Sequence, residues 1–397
     1  SPFAEAKYSG TAGISQFAKD FAGLSLKKEL PAIFKDTSYT WSGDSYSVNL
    51  MCHDMMDVLA FAVPGLYIED GTAFTTQIGE DGNFSAELNS GRLAYKKQYL
   101  KGLNANFDNK NENLNGAITS EEIQVSSIRF NDGRLGLFAK DNHIGAGFSY
   151  NNDTDIENHG QLVVHGNISR VQTGLNLGVN ISPSSIYINS KEWSMQPSNI
   201  NILGRSISVD SFGLVSGDEA ITVNGRTSET QNDTLTLALQ RFDISLINSI
   251  IPEIGIKGAL TGTANLTSAF QKKGVDVDMI CDSTYIADAP LGVLNIGGSW
   301  DGGRNSLDIE AYNDFIGERT LDATRSILLS DRRMHTQLNM NRLRISYAKP
   351  LLKEVFSDMD GYLSGSIMMD GHLDSLNISS VDCRLDEGLL TIDYTKV

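Results

Sequence analysis

One arrangement of short segments occurs twice in this sequence, and it restricts the folds that are open to the chain. Residues 235–266 contain an alternating apolar strand, a short apolar patch and a strand interrupted by glycines. Residues 334–371 contain the same parts in the same order, with Arg342 at the place that Arg241 takes in the first copy. A unit this small buries its apolar side only by stacking on neighbours. The repeat therefore predicts an extended, stacked architecture.

Glycines stand four residues apart in the last strand of each copy, as Gly258 and Gly262 and as Gly361 and Gly365. A glycine inside a strand is typical of a bulge, a bend or a close approach of two backbones. A bend in an ordinary β-sandwich is the simplest of these interpretations. A weaker third copy of the arrangement covers residues 46–73.

Alternation of apolar and polar residues runs through most of the remaining sequence. Leu175, Leu177, Val179 and Ile181 give a clear example. A period of two with one apolar side is typical of antiparallel sheet that buries one face and exposes the other. We therefore predict an all-β fold: an elongated, mostly antiparallel sheet, curled into an apolar-lined trough or forming an open sandwich. The same pattern would also serve a closed sandwich, in which two apolar faces bury each other.

A few short helices interrupt this pattern. Before the apolar residues 55–63, Asp54 has the place of a helix N-cap, and Pro64 predicts the end of that helix. We expect the helices to act as plugs or edge covers where the sheet would otherwise be open. They are predicted near residues 12–26, 55–63, 246–251 and 348–356.

Three clusters of turn-forming residues separate alternating runs. They are GEDGN at 79–83, NDG at 131–133 and DGG at 301–303. Asn, Asp and Gly tolerate the backbone angles that tight turns require, so each cluster predicts a β-hairpin.

The domain organisation is predicted to be continuous. No shift in composition is sharp enough for a linker, so residues 1–397 are interpreted as a fragment of one repetitive β structure. The chain begins without Met and without a signal peptide, and we expect it to be an excised or processed piece of a longer protein. Its approximate segments are a helical lead-in at 1–45, a first segment at 46–190, a second at 191–300 and a third at 301–397.

Charge and cysteine content restrict the partners. A formal charge of −17 repels phosphate backbones, so we expect no nucleic-acid partner. No run of roughly 18 apolar residues is present that could span a membrane as a helix. Cys281 and Cys383 occupy matched positions of the two copies. They indicate either a disulfide between neighbouring copies or, as we prefer, two small apolar residues at an equivalent core site.

Catalytic motifs are absent from the sequence. No Gly-x-Ser-x-Gly elbow stands between a strand and a helix, and the histidines do not have metal-ligand spacing. The carboxylates fall mostly in turns, although a pair acting on a glycan is set by the fold and not by spacing. We therefore predict a protein that is not an enzyme and has no metal and no cofactor.

Residues 193–268 resemble the TamB-like branch of the AsmA-like superfamily. The family pattern begins with an aromatic-led strand, here Trp193, and continues through a segment that corresponds to ITVNG at 221–225. A D-x-L-x-L-x-L motif follows from Asp233, then a short helix and a G-x-L-x-G-x-x-x-L motif from Gly258.

Residues 335–397 are similar to a second copy of the family pattern. This copy ends on a strand with an aromatic residue, Tyr394, near its end. It departs from the family near Leu376, where the usual proline is missing. Residues 31–190 follow the same style more loosely.

The resemblance implies a long periplasmic protein of a diderm bacterium, anchored in the inner membrane, and the composition suggests a Bacteroidetes-type source. Proteins of this family are similar to bridge-like lipid transfer proteins and are linked to phospholipid traffic and to outer-membrane protein assembly. The implied fold is a long β-sheet with an apolar lining.

The predicted function is a non-enzymatic segment of a bridge that carries phospholipid between the inner and outer membranes. Its expected partners are phospholipid acyl chains and an outer-membrane assembly-barrel protein. The alternative is a scaffold that assists outer-membrane protein assembly by β-strand addition, and a third possibility is a carbohydrate-active β-protein with a carboxylate pair in a cleft. The candidate lining residues are Leu175, Leu177, Val179, Leu235, Leu237, Leu239, Val277, Met279, Leu338, Met340, Ile367 and Met369.

Overall fold

The computed structural model confirms the all-β fold class: 69% of the chain is strand and 10% is helix. The chain divides into two compact units, Ser1–Gly204 and Arg205–Val397. The finer division into four segments stays a prediction. The structure describes residues 3–34, 39–125, 128–188, 190–230, 233–249, 255–271, 273–349, 356–372 and 375–392.

The first unit is an antiparallel sheet built mainly from strands that are neighbours in sequence. The first strand pairs with the second, the second with the fourth, and from the fourth to the eleventh each strand pairs with the next. Its strands are β1 (Ala4–Gly10), β2 (Tyr46–Cys52), β3 (Leu66–Ile68), β4 (Ala73–Ile78), β5 (Phe84–Tyr95), β6 (Gln98–Asp108), β7 (Leu114–Val125), β8 (Ile128–Lys140), β9 (His143–Asn151), β10 (His159–Val171), β11 (Gly174–Ile181), β12 (Ser184–Ile188), β13 (Lys191–Met195) and β14 (Ser198–Leu203).

The second unit is an antiparallel meander in which each strand pairs with the next one along the chain. Its strands are β15 (Ile207–Ser216), β16 (Glu219–Thr227), β17 (Thr234–Asp243), β18 (Ile256–Thr267), β19 (Gly274–Ile286), β20 (Ala289–Asp301), β21 (Ser306–Asp314), β22 (Leu321–Leu328), β23 (Arg333–Arg344), β24 (Phe356–His372) and β25 (Ser375–Ile392).

Two of the three predicted hairpin turns are confirmed. Residues 79–83 join β4 to β5, and the N–H of Gly79 donates to the carbonyl of Asn83 at 2.8 Å. Residues 301–303 lie at the turn from β20 to β21, where Asp301 Oδ1 accepts the N–H of Gly303 at 2.7 Å.

The turn predicted at residues 131–133 is wrong, because β8 continues through it. Asn131 pairs with Glu122 and Gly133 with Ser120, so the ladder to β7 is kept on both sides of Asp132. Asp132 takes a left-handed conformation, with φ of 48°, which an aspartate tolerates without reversing the chain.

The helices predicted in the first unit are confirmed. The helix α1 (Ile14–Ala22) continues into a π-helical turn, Gly23–Lys27, and a 3₁₀ turn follows at Pro31–Ile33. The helix α2 (Met56–Ala62) ends just before Pro64. Its N-cap is Met55 and not Asp54 as predicted, although Asp54 Oδ1 accepts the N–H of Met56 at 3.3 Å. A further 3₁₀ turn, Lys110–Glu112, lies between β6 and β7.

The helices predicted in the second unit lie partly outside the described residues. A 3₁₀ turn at Ile244–Ser249 covers the start of the region predicted at 246–251, and residues 250–254 are not among those described. Another 3₁₀ turn, Ile345–Ala348, precedes residues 350–355, which are also outside the described part.

The strand β1 lies within the segment predicted to be a helical lead-in. It pairs with β2 along its whole length, from Ala4 opposite Cys52 to Gly10 opposite Tyr46. Its sequence, AEAKYSG, alternates apolar with polar residues, a period of two that is typical of a strand.

The two sequence copies share one deformation of the sheet. The register of β17 with β18 shifts near Arg241, and that of β23 with β24 shifts near Arg342; both arginines have positive φ, 47° and 51°. The facing glycines, Gly262 and Gly365, have φ of 152° and 125°. A Cβ on Gly262 would lie 2.2 Å from the carbonyl oxygen of Asp278, so close backbone approach explains the glycine. In the weaker third copy, the final glycine lies in the turn between β3 and β4 instead.

Candidate functional site

Register defines the two faces of the sheet in the second unit, because directly paired residues on neighbouring strands point to the same side. One side carries mainly apolar residues, and we call it the apolar face. Two of its rows cross from β17 to β24. They run through Leu239, Gly262, Met279, Ile296, Ala311, Ala323, Leu338 and Ile367, and through Leu237, Ala264, Val277, Gly298, Ile309, Arg325, Thr336 and Met369.

The predicted lining residues of the second unit all lie on this apolar face. Alternation in the sequence predicts that these residues share one side of each strand. The register of neighbouring strands then puts those sides on the same face of the sheet. Met340 lies beside the two rows, opposite Leu321 and Gly365. The residues concerned are Leu235, Leu237, Leu239, Val277, Met279, Leu338, Met340, Ile367 and Met369.

Exposure separates an open face from a closed core. Leu237, Met279, Leu338 and Ile367 are half-buried, and only Met340 among the predicted residues falls to 8% exposed. Side chains between two packed sheets would be buried along every row. Most side chains in these rows are therefore not buried by a second layer formed from the described residues.

The opposite face of the same strands is polar. It includes the carboxylates of Asp276, Asp278, Asp308 and Glu310, which line a depression of about 630 Å³ together with His335. Polar side chains beside water satisfy their hydrogen bonds without protein partners, so this face suits solvent.

Two carboxylates of the polar face lie level with each other on the strands that flank β20. Asp278 and Glu310 both pair with Gly297, from the strands on its two sides. Both side chains line the depression on the polar face, and a carbohydrate-active protein would need a carboxylate pair in a cleft. Within the described residues, no group of three or more His, Cys, Asp or Glu side chains is placed to hold a metal ion.

The first unit has an apolar face of its own with a cavity of about 290 Å³. Phe107, Leu137, Val164 and the predicted lining residue Val179 contribute to its walls. Leu177, two residues before Val179 on β11, lies on the same side opposite Ile168 and Ile202. Leu175 is also on this side but is 37% exposed at the end of the strand.

The helix α1 covers one end of this apolar face. Phe17 packs edge-on against Tyr46 of β2, and Phe21 against Phe84 of β5, with ring centroids 5.6 Å and 5.5 Å apart. These side chains surround a buried cluster that also includes Ile78. The helix thus packs on the apolar face of the sheet through these side chains.

A buried carboxylate on α1 ties the helix to the sheet. Asp20 is fully buried, and its Oδ2 accepts hydrogen bonds from Ser42 Oγ and from the Tyr46 hydroxyl, both at 2.8 Å. Its Oδ1 accepts from Gln16 Nε2 at 3.1 Å. Burial, together with the hydrogen bond to Asp20, raises the pKa of Tyr46 to about 12. Burial and the same carboxylate also raise the pKa of Tyr39.

The 3₁₀ turn that follows α1 is hydrogen-bonded to β10 and to the turn between β8 and β9. Arg170 on β10 donates from its guanidinium to the carbonyls of Ala32 and Ile33, at 3.1 Å and 2.9 Å. Asn142, in the turn between β8 and β9, accepts the N–H of Ala32 at 2.7 Å. Residues 14–33 are therefore attached to the sheet at two places, through α1 at one end and through the 3₁₀ turn at the other.

Sequence analysis missed one charged residue on the apolar face. Arg325 takes a position that the alternation of Leu321, Ala323 and Ile327 reserves for an apolar residue, and its register places it between Ile309 and Thr336. A charged residue at an apolar position of the pattern was the signal that could have found it.

The two cysteines at matched repeat positions differ in burial. Cys281 is buried, Cys383 is exposed, and both are free. The predicted core position is therefore confirmed for Cys281 and is wrong for Cys383. Its thiol has a raised pKa, chiefly because burial penalises the thiolate.

The strand β25 forms a long edge of the sheet in the second unit. In the described part of the chain it pairs only with β24, and nearly all of its side chains are exposed. Ile378 is 70% exposed and Leu389 is 54% exposed. An unpaired strand edge with apolar side chains is a template for pairing with another strand.

No protein-family model, curated protein or solved structure matches this chain. Among the described residues, no helix is long and apolar enough to cross a membrane.

Proposed function

We propose that this chain is a non-enzymatic segment of a lipid carrier, whose apolar faces hold phospholipid acyl chains. The supporting observation is the apolar face of the second unit, which continues from β17 to β24 and is only half-buried. Apolar surface left open over this many strands is unusual in a soluble protein and marks a binding surface.

Acyl chains fit such a face because their binding needs no directional contacts. Each CH₂ group removed from water contributes about 0.8 kcal/mol. The rows of Leu, Ile, Val and Met side chains offer this contact on every strand. The apolar cavity of the first unit offers the same chemistry in a more enclosed form.

The resemblance to TamB-like proteins supplies the setting of the proposal. We place the segment in the periplasm, within a longer protein anchored in the inner membrane, where it carries phospholipid between the inner and outer membranes. An outer-membrane assembly-barrel protein is the proposed partner.

The test compares one charge on each face of β17. Leu237→Glu places a carboxylate on the apolar face, and Ala238→Glu places the same group one residue away on the polar face. Because both positions are half-buried, the two variants have similar effects on folding. Met340 is buried, so the same change there is expected to destabilise the fold and is less informative.

Lipid bound to the purified chain, and transfer of labelled phospholipid between vesicles, are the measurements. We expect Leu237→Glu to reduce both at least about tenfold, since a buried charge next to acyl chains is costly, and Ala238→Glu to change neither. Equal behaviour of the two variants, or a wild-type chain that binds no lipid, would contradict the proposal.

A second candidate function has its own support in the exposed edge of β25. A scaffold for outer-membrane proteins would bind a client strand there through backbone hydrogen bonds. Along an edge strand, successive N–H groups point alternately to the neighbour and outward. Proline removes a backbone N–H, so one of the two variants Ser379→Pro and Ser380→Pro removes a donor on the open side, and the other removes a donor to β24. The first kind of variant should block client binding and keep the pairing with β24. Client binding lost in that variant, with lipid transfer retained, would favour the scaffold.

A further inference from the structure

Among the described residues, Arg325 is the only charged one on the apolar face from β17 to β24. The acidic side chains of these strands all lie on the polar face, as the register places Asp276, Asp308 and Glu310 there. The Arg325 side chain is exposed, and no hydrogen bond or ion pair joins its guanidinium to any described residue. An unpaired guanidinium among apolar side chains is costly unless a ligand or water satisfies its donors.

Thr336 is the direct partner of Arg325 on β23. It is only 7% exposed, and its Oγ1 is buried without a hydrogen-bond partner. On the same face, Trp300 Nε1 is also buried and without a partner. Buried polar groups are nearly always hydrogen-bonded in folded proteins, so the unpaired Thr336 hydroxyl next to Arg325 is a candidate donor to a ligand.

We propose that Arg325 and Thr336 bind the phosphate of an anionic phospholipid whose acyl chains lie along the neighbouring apolar rows. The guanidinium offers paired N–H donors that match phosphate oxygens, and the threonine hydroxyl offers one more. Ile309 and Met369 adjoin the pair in its own row, and Ala323 and Leu338 in the next row. This inference rests on the proposed function, because it takes the face to be a lipid site and adds a preference for the headgroup.

The test is a binding titration with lipids that share their acyl chains. Dioleoylphosphatidylglycerol carries a phosphate, dioleoylglycerol does not, and inorganic phosphate lacks the chains. We expect the wild-type chain to bind phosphatidylglycerol about tenfold more tightly than diacylglycerol, which corresponds to about 1.4 kcal/mol.

Two pairs of variants identify the residues responsible. Arg325→Gln is expected to abolish the preference, whereas Arg333→Gln, the same change on the polar face of β23, is expected to keep it. Thr336→Val is expected to weaken the preference several-fold, and Thr324→Val on the polar face of β22 to leave it unchanged. Circular dichroism checks that each variant is folded. Arg325→Lys keeps the positive charge but loses the paired donors, so it should retain part of the preference for phosphatidylglycerol.

The outcomes separate the two proposals. Equal affinity for the two lipids would overturn the headgroup inference and leave the lipid-carrier proposal standing. No binding of either lipid would overturn both. Tight binding of inorganic phosphate that depends on Arg325, without a gain from acyl chains, would overturn the lipid as the source of the phosphate.

Discussion

The backbone N–H of Arg241 donates a hydrogen bond to Thr261 Oγ1 across the β17–β18 pair, at 3.0 Å. The second copy repeats this contact between Arg342 and Ser364 Oγ, also at 3.0 Å. At both places the strand register shifts, so the arginine N–H leaves the ladder and a side-chain hydroxyl accepts it. The repeat in the sequence is therefore a repeat of one strand irregularity and its hydroxyl partner.

Removing either hydroxyl should destabilise the protein modestly. We expect Thr261→Val and Ser364→Ala each to lower the free energy of unfolding by about 1 kcal/mol, since each leaves one backbone N–H without its acceptor. The two effects should add in the double variant, because the sites are well separated. Thr263→Val, two residues along β18, is the control and should have less effect in urea unfolding. A control as damaging as Thr261→Val would show that the hydroxyl has no special role.

Alanine at the strand glycines should be much more harmful. A Cβ on Gly262 would meet backbone atoms of Asp278 and Met279 at 2.2 Å and 2.6 Å, and backbone cannot move aside as a flexible side chain can. We expect Gly262→Ala to lower the unfolding free energy by more than about 2 kcal/mol. Gly147→Ala on β9, where nothing lies within 4 Å of the added Cβ, should be close to neutral. Similar melting temperatures for the two variants would refute this explanation.

Loss of the Asp20 carboxylate should loosen α1 from the sheet. Asp20→Ala leaves the hydroxyls of Ser42 and Tyr46 buried without their acceptor, at an expected cost of about 2 to 3 kcal/mol. Hydrogen exchange should accelerate in residues 14–22 before it does in the strands. Asp57→Ala, at an exposed aspartate of α2, serves as the control and should leave exchange unchanged. Unchanged protection of α1 in Asp20→Ala would argue against an anchoring role.

Alkaline pH should weaken the fold through Tyr46. Its pKa is about 12 in the folded chain, against about 10 for an unperturbed tyrosine. A raised folded pKa means that the stabilisation is fully present below pH 10 and is lost as the pH rises from about 10 towards 12. The slope due to this group should approach about 1.4 kcal/mol per pH unit. Urea unfolding between pH 9 and 11 measures the slope, and it should be shallower in Tyr46→Phe; equal slopes would contradict the assignment.

The carboxylates of the polar face should not matter for lipid binding. Because Asp278 and Glu310 lie on the side opposite the apolar rows, Asp278→Asn with Glu310→Gln should leave phospholipid transfer unchanged. The same double variant tests the carbohydrate alternative in a screen of glycan substrates. Hydrolysis by the wild-type chain that disappears in the variant would show an enzyme and would overturn the non-enzymatic proposal.

The amino-acid sequence alone was sufficient to derive the class of fold and the faces of the strands. Side chains alternate sides along any strand, so apolar residues at every second position identify one face before any pairing is known. The placement of Leu237, Val277 and Ile367 on apolar faces follows from this local rule. The helix α1 was likewise readable from apolar residues at three- and four-residue steps.

Only the tertiary structure decided which faces meet and what lies beside each residue. Strand register depends on long-range pairing and on the irregular positions near Arg241 and Arg342, and a shift of one residue would move every later side chain to the other face. The pairing of Arg325 with Thr336 is therefore invisible in the sequence. Asp132 continues a strand because the residue pairs on both sides of it keep the ladder to β7. Local patterns determine which way a side chain points, whereas its neighbours are set by contacts between residues that are distant in the chain.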